Sequence, residues 1–159
     1  MLNGNGLRVV LWLSSCSHKC EGCHNPQTWD CNSGIKFDLE AKEEIFAELE
    51  KDYIKGITIT GGDPLHDNNS LEVKDFILEI KQRYRTKDIW LYTGYYFNDL
   101  KEFYPVKYDV VKLCDVLVDG RYIKELSDIN YRWAGSTNQS VIDIKKTLEN
   151  NENIVLLEM

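Results

Sequence analysis

Residues 7–13 (Leu-Arg-Val-Val-Leu-Trp-Leu) are the first dense apolar run, bounded by Gly6 and Ser14-Ser15, and their β-branched content predicts a buried strand. From Asp38 the period lengthens. Leu39, Ile45, Phe46, Leu49 and Tyr53 fall along one face opposite charged positions, which predicts a helix that Asp38 can cap. Residues 54–60 read as a second strand, stopped by Gly61-Gly62-Asp63-Pro64. A second helix from Ser70 carries Leu71, Val73, Phe76, Ile77, Ile80 and Tyr84 on its apolar side. A third strand over 88–93, a short helix over 98–103 and a fourth strand over 114–119 follow. Residues 124–135 keep no period and read as a long loop or lid. Residues 141–144 are a short strand or extended segment, 145–150 a helical turn, and 154–157 a last strand.

Strands that alternate with helices of this length imply crossover connections and a largely parallel α/β sheet with helices outside. At 159 residues the chain falls short of a complete eight-stranded barrel, which takes about 250 residues. An open partial barrel or a doubly wound sheet remains, formed as a single domain over 1–159. Both place chemistry at the carboxyl ends of the strands. The segments 16–23, 61–64 and 93–95 each follow a predicted strand and are expected to share that rim.

Composition narrows the class. Hydrophobic residues at 43%, charged residues at 28% and three prolines exclude a disordered or low-complexity chain. Lys and Arg number 19 against 26 Asp and Glu, a net charge of −7, so neither nucleic acid nor an anionic membrane is an expected partner. No cationic leader precedes the first apolar run, and every apolar stretch is strand-sized. The expectation is a soluble, cytoplasmic protein.

Five cysteines are an odd count for a disulfide scaffold, and three crowd into Cys16-Ser17-His18-Lys19-Cys20-Glu21-Gly22-Cys23. Positions i, i+4 and i+7 trace one helical face, but Ser14, Ser15, Gly22 and Pro26 are poor helix residues and the intervening side chains are polar. Zinc would need a fourth ligand, for which His24, Cys31 or His18 is available. An iron–sulfur cube held by three cysteines would keep one iron without a thiolate, open to a cofactor or substrate. The cluster alone leaves zinc and iron–sulfur both standing. Cys31 and Cys114 have no spaced companions and are expected to be non-catalytic thiols.

Cys-x3-Cys-x2-Cys after a first strand resembles the signature of the radical S-adenosylmethionine enzymes. Cys23-His24-Asn25-Pro26 followed by Thr28-Trp29-Asp30 is similar to their glycyl-radical-activating branch. Thr60-Gly61-Gly62-Asp63-Pro64, Tyr92-Thr93-Gly94-Tyr95, Leu117-Val118-Asp119-Gly120 and Gly135-Ser136-Thr137-Asn138-Gln139 extend the likeness over most of the chain. Gly22 stands where many of these enzymes carry an aromatic residue, and Asp63 where the wider superfamily commonly has Glu.

The resemblance implies an open partial (β/α) barrel in which Cys16, Cys20 and Cys23 ligate a [4Fe-4S] cluster whose fourth iron binds S-adenosylmethionine. One electron from an external donor would release a 5'-deoxyadenosyl radical. Its implied target is a glycine of the large catalytic subunit of an anaerobic ribonucleoside-triphosphate reductase, and a homodimer stays open. Gly61 and Gly62 would let backbone approach the methionine part, and Asp63 would face its ammonium. Thr93 would face the sulfonium or ribose, while Asp119 and Asn138 would orient the ribose or the partner loop. His24 and Asn25 would hydrogen-bond around the cluster. A related enzyme acting on a small molecule would need a larger insert over the barrel mouth. A zinc-stabilised interaction module is the non-enzymatic alternative.

Overall fold

The computed structural model describes residues 3–14, 18 and 37–158. Five strands, β1 (Arg8–Leu13), β2 (Gly56–Gly61), β3 (Asp88–Tyr92), β4 (Val116–Asp119) and β5 (Ser140–Asp143), form one sheet in the order β1-β2-β3-β4-β5. The first four are parallel, and β5 runs antiparallel to β4. The direction of β5 follows from its connection. Residues 120–139 return from the carboxyl end of β4 without a crossover helix, and a return of that kind joins antiparallel strands.

Between the strands lie α1 (Leu39–Leu49), α2 (Ser70–Arg83), α3 (Phe97–Phe103) and α4 (Pro105–Val111); α5 (Ile144–Glu149) follows β5. Asp38 caps α1, its carboxylate accepting from Ala41 N–H at 3.0 Å, and Asp143 caps α5 in the same way through Lys146 N–H.

Alternation along the strands divides the core. Ile57, Ile59, Ile89, Leu91, Leu117 and Ile142 face the helices and pack with Phe46, Leu49, Phe76, Ile77, Ile80, Phe97 and Leu100. Trp90, Val116, Val118 and Val141 point to the other face, where Trp133 and Ala134 cover them. The stretch expected as a loop or lid is thus a loop whose far end is fixed. The indole of Trp133 meets Trp90 edge-on at 4.9 Å, and the Tyr92 hydroxyl donates to the Trp133 carbonyl at 2.5 Å.

The structure corrects the sequence reading in four places. The first strand, expected to be buried, is an edge strand with no fully buried residue, and its Trp12 is exposed. Residues 154–157 form no strand, only a single bridge between Leu156 and Ile142, because Asn151 and Glu152 turn the chain through left-handed backbone just before it. Helix α4 was not expected; Pro105 at its first turn was the available signal. Leu71 and Tyr53 are exposed. Val73, Phe76, Ile77 and Ile80 define the buried stripe of α2, two residues and some 200° of rotation from Leu71, while Tyr53 lies beyond the end of α1. Leu39, at the opening of α1, is exposed as well. No described helix is long and apolar enough to cross a membrane.

Candidate active site

The carboxyl ends of β1 and β2 are drawn together by a glycine. Gly61 has φ +101°, and a Cβ there would overlap the backbone of Leu13, so no other residue fits without displacement. Gly62 N–H then donates to the Leu13 carbonyl at 2.6 Å. This turn delivers Asp63 into the interior, where it is 1% exposed. A buried carboxylate requires donors, and several converge on it. Oδ1 accepts from Leu65 N–H at 2.9 Å, in a turn around Pro64. The Thr93 hydroxyl reaches Oδ1 and Oδ2 at 2.9 and 3.0 Å, and Gly94 N–H reaches Oδ2 at 3.0 Å. His18 Nε2 lies 2.7 Å from Oδ2.

His18 belongs to the cysteine segment. Its other ring nitrogen, Nδ1, lies 3.1 Å from Arg121 Nε. A guanidinium has no acceptor, so Nδ1 accepts; the ring proton therefore sits on Nε2 and is donated to Asp63. The ring stands edge-on to Tyr95 at 4.8 Å, its side chain is 5% exposed, and a Cβ on Gly94 would overlap it. Beside it a cavity of about 400 Å³ opens between Gly94, Tyr95, Tyr96, Phe103 and Arg121.

A second network holds the end of β4. Asp119 Oδ2 accepts from Phe97 N–H, the first residue of α3, at 2.8 Å, and Oδ1 accepts from Ser140 N–H of β5 at 3.0 Å. Burial raises its carboxyl above the usual carboxylate range, and these two hydrogen bonds act against that rise. Asn138 donates to the Tyr96 hydroxyl and the Arg121 carbonyl, both at 2.8 Å, and accepts from the Ser136 hydroxyl at 2.6 Å. Gln139 accepts from Gly135 and Ser136 N–H and donates to the Gly120 carbonyl.

Asp63 and Thr93 are therefore joined directly, and Asn138 is linked to them through Arg121 and His18. Asp119 serves a separate junction. Cys16, Cys20, Cys23, His24 and Asn25 lie outside the described residues, as do Gly22, Trp29 and Cys31. Two residues bear on the site that the motifs did not mark for this role. The spacing marks His18 only as a spare zinc ligand. Asn69, to which the sequence assigns no role at the site, sends its amide to the carbonyls of Ser14, two residues before Cys16, and of Asp63, at 2.7 and 2.9 Å.

Three cysteine thiolates fit three corners of an iron–sulfur cube. Of the described residues nearest them, His18 lies against Asp63 and Gly94, which follow β2 and β3, and Ser14 is tied through Asn69 to Asp63, at the strand ends where this architecture puts ligands. The donor chemistry of the three cysteines, and the placement of His18 among them at this rim, therefore fit such a cluster.

Comparison with known proteins agrees. A family model described as a 4Fe-4S single cluster domain matches residues 2–142. An anaerobic ribonucleoside-triphosphate reductase-activating protein of Enterobacteria phage T4 is 44% identical over 138 residues, 87% of this chain and 85% of the relative. Proteins of the same name from Salmonella typhi and Escherichia coli (strain K12) are 40% and 39% identical over 143 residues, covering 89% of this chain and 91% of each relative. No solved structure matches. With one cluster domain matched across most of its length and relatives aligned nearly end to end, the chain belongs to the family of anaerobic ribonucleoside-triphosphate reductase-activating proteins.

Proposed function

We propose that this chain is an iron–sulfur activase that reductively cleaves S-adenosylmethionine and generates a glycyl radical on the large catalytic subunit of an anaerobic ribonucleoside-triphosphate reductase. The observation that carries this reading is the lodging of His18, from within the Cys-x3-Cys-x2-Cys segment, between the carboxyl ends of β2 and β3. When bound, the cluster and S-adenosylmethionine supply one-electron reductive cleavage and removal of hydrogen from glycine, chemistry that is the cofactors' own.

The protein's part is to hold and orient. Cys16, Cys20 and Cys23 bind three irons, and His24 and Asn25 offer hydrogen bonds around them. Gly61 lets the end of β2 close onto β1, and Gly62 keeps the turn that follows free of a side chain, so that an amino-acid-like ligand can approach the rim. Asp63 acts mainly as the hub of the rim, since its carboxylate already accepts from Leu65, Thr93, Gly94 and His18. Thr93, whose hydroxyl is spent on Asp63, shapes the same edge. Asp119 and Asn138 fix the junction of β4, α3 and β5 that borders the cavity. An external one-electron donor completes the partner set.

Anaerobic reconstitution with iron and sulfide, followed by a reductant-dependent assay for 5'-deoxyadenosine, tests the reading. The expected result is a brown protein that releases 5'-deoxyadenosine, with the product lost in Cys16→Ala. Colourless protein carrying stoichiometric zinc would overturn it.

A further inference from the structure

We infer that His18 is a positioning residue: it fixes the middle of the span between Cys16 and Cys20 against the strand ends, and so holds the cluster-binding segment in the geometry that retains iron. This rests on the reading that the three cysteines bind the cluster. His18 is two residues along the chain from Cys16 and two from Cys20, so seating its ring restrains both neighbours through short backbone tethers.

Four groups build the seat. Nε2 donates to the buried Asp63 at 2.7 Å, and Nδ1 accepts from Arg121 at 3.1 Å. The face is limited by Tyr95, and the floor is Gly94, where a methyl group would collide with the ring. Asp63 is in turn held by Thr93 and Leu65. Arg121 is set by Asn138, which binds its carbonyl. One side chain therefore collects restraints from the ends of β2, β3 and β4 and passes them into the cysteine segment. Loosening a group that orients metal ligands costs roughly 10- to 100-fold in metal affinity or activity.

The test is iron release from the anaerobically reconstituted full chain to a ferrous chelator, read beside the paramagnetic resonance spectrum of the reduced cluster and a thermal melt of the apoprotein. His18→Ala is expected to release iron about tenfold faster than the parent and to broaden the cluster spectrum. His18→Gln, whose amide nitrogen can take the place of Nε2 toward Asp63, is expected to recover most of the parental rate. Gly94→Ala displaces the ring without altering His18 and is expected to behave like His18→Ala. It also keeps the question answerable if His18→Ala does not fold. Parental release rates and spectra in both His18→Ala and Gly94→Ala would overturn the inference. A parent that takes up no iron and sulfide would instead overturn the reading beneath it.

Discussion

Asp119 shows what burial asks of one carboxylate. Both its oxygens accept backbone N–H groups, one from α3 and one from β5, and burial raises its carboxyl despite them. A folded-state value above the unfolded one means that the folded protein binds the proton more tightly. This residue's contribution to stability therefore falls as pH rises from the ordinary carboxylate range through the raised value, and is constant above it. Asp119→Asn should abolish that slope. It should also turn an amide NH2 toward one of the two donors, costing about 1–3 kcal/mol in urea unfolding at neutral pH; an unchanged midpoint would show that the junction does not depend on the two bonds. Burial likewise raises the Cys114 thiol, which moves it away from reactivity. Cys114→Ala should leave 5'-deoxyadenosine formation largely intact, whereas Cys20→Ala and Cys23→Ala should abolish it, and equal losses would reassign the cluster ligands. At this scale the motif residues were legible as types, but their partners were not. Asp63 read as an acid facing a ligand; its carboxylate is the acceptor for four groups that sequence spacing gives no means of bringing together.

At the scale of elements, strands and helices followed the hydrophobic period closely wherever that period was sustained. Val73, Phe76, Ile77 and Ile80 repeat at helical spacing and are buried. Alternation along β3 separates Ile89 and Leu91 from Trp90 and Tyr92. Legibility failed where an element is short. Seven residues of α4 carry too few turns to show a stripe, and the 154–157 run makes one bridge because a run of apolar residues says nothing about the turn that feeds it. The loop over 120–139 gave no period because its order comes from side chains reaching across the sheet. Trp133 is its anchor, although it holds φ at 67°. Trp133→Ala should destabilise the fold by about 3–5 kcal/mol. Trp133→Gly should lose the same packing but recover about 1 kcal/mol of backbone strain, so the glycine variant should be the more stable of the two. The reverse order in chemical unfolding would mean that the left-handed conformation carries no cost there.

For the molecule as a whole, the two ends of the sheet have different tasks. At the amino end of the strands, Arg8 closes the sheet with hydrogen bonds to Thr58, the Ile57 carbonyl and Asp88. At the carboxyl end, Asp63, Thr93, His18 and Arg121 tie three strands to the cysteine segment, and a cavity opens beside them. The measurement that bears most directly on the account is paramagnetic resonance of the reductase large subunit, incubated anaerobically with the reconstituted chain, S-adenosylmethionine and a one-electron reductant. The account predicts a glycyl radical signal that needs all three additions and vanishes with Cys16→Ala. A large subunit that stays silent while the chain forms 5'-deoxyadenosine normally would contradict it.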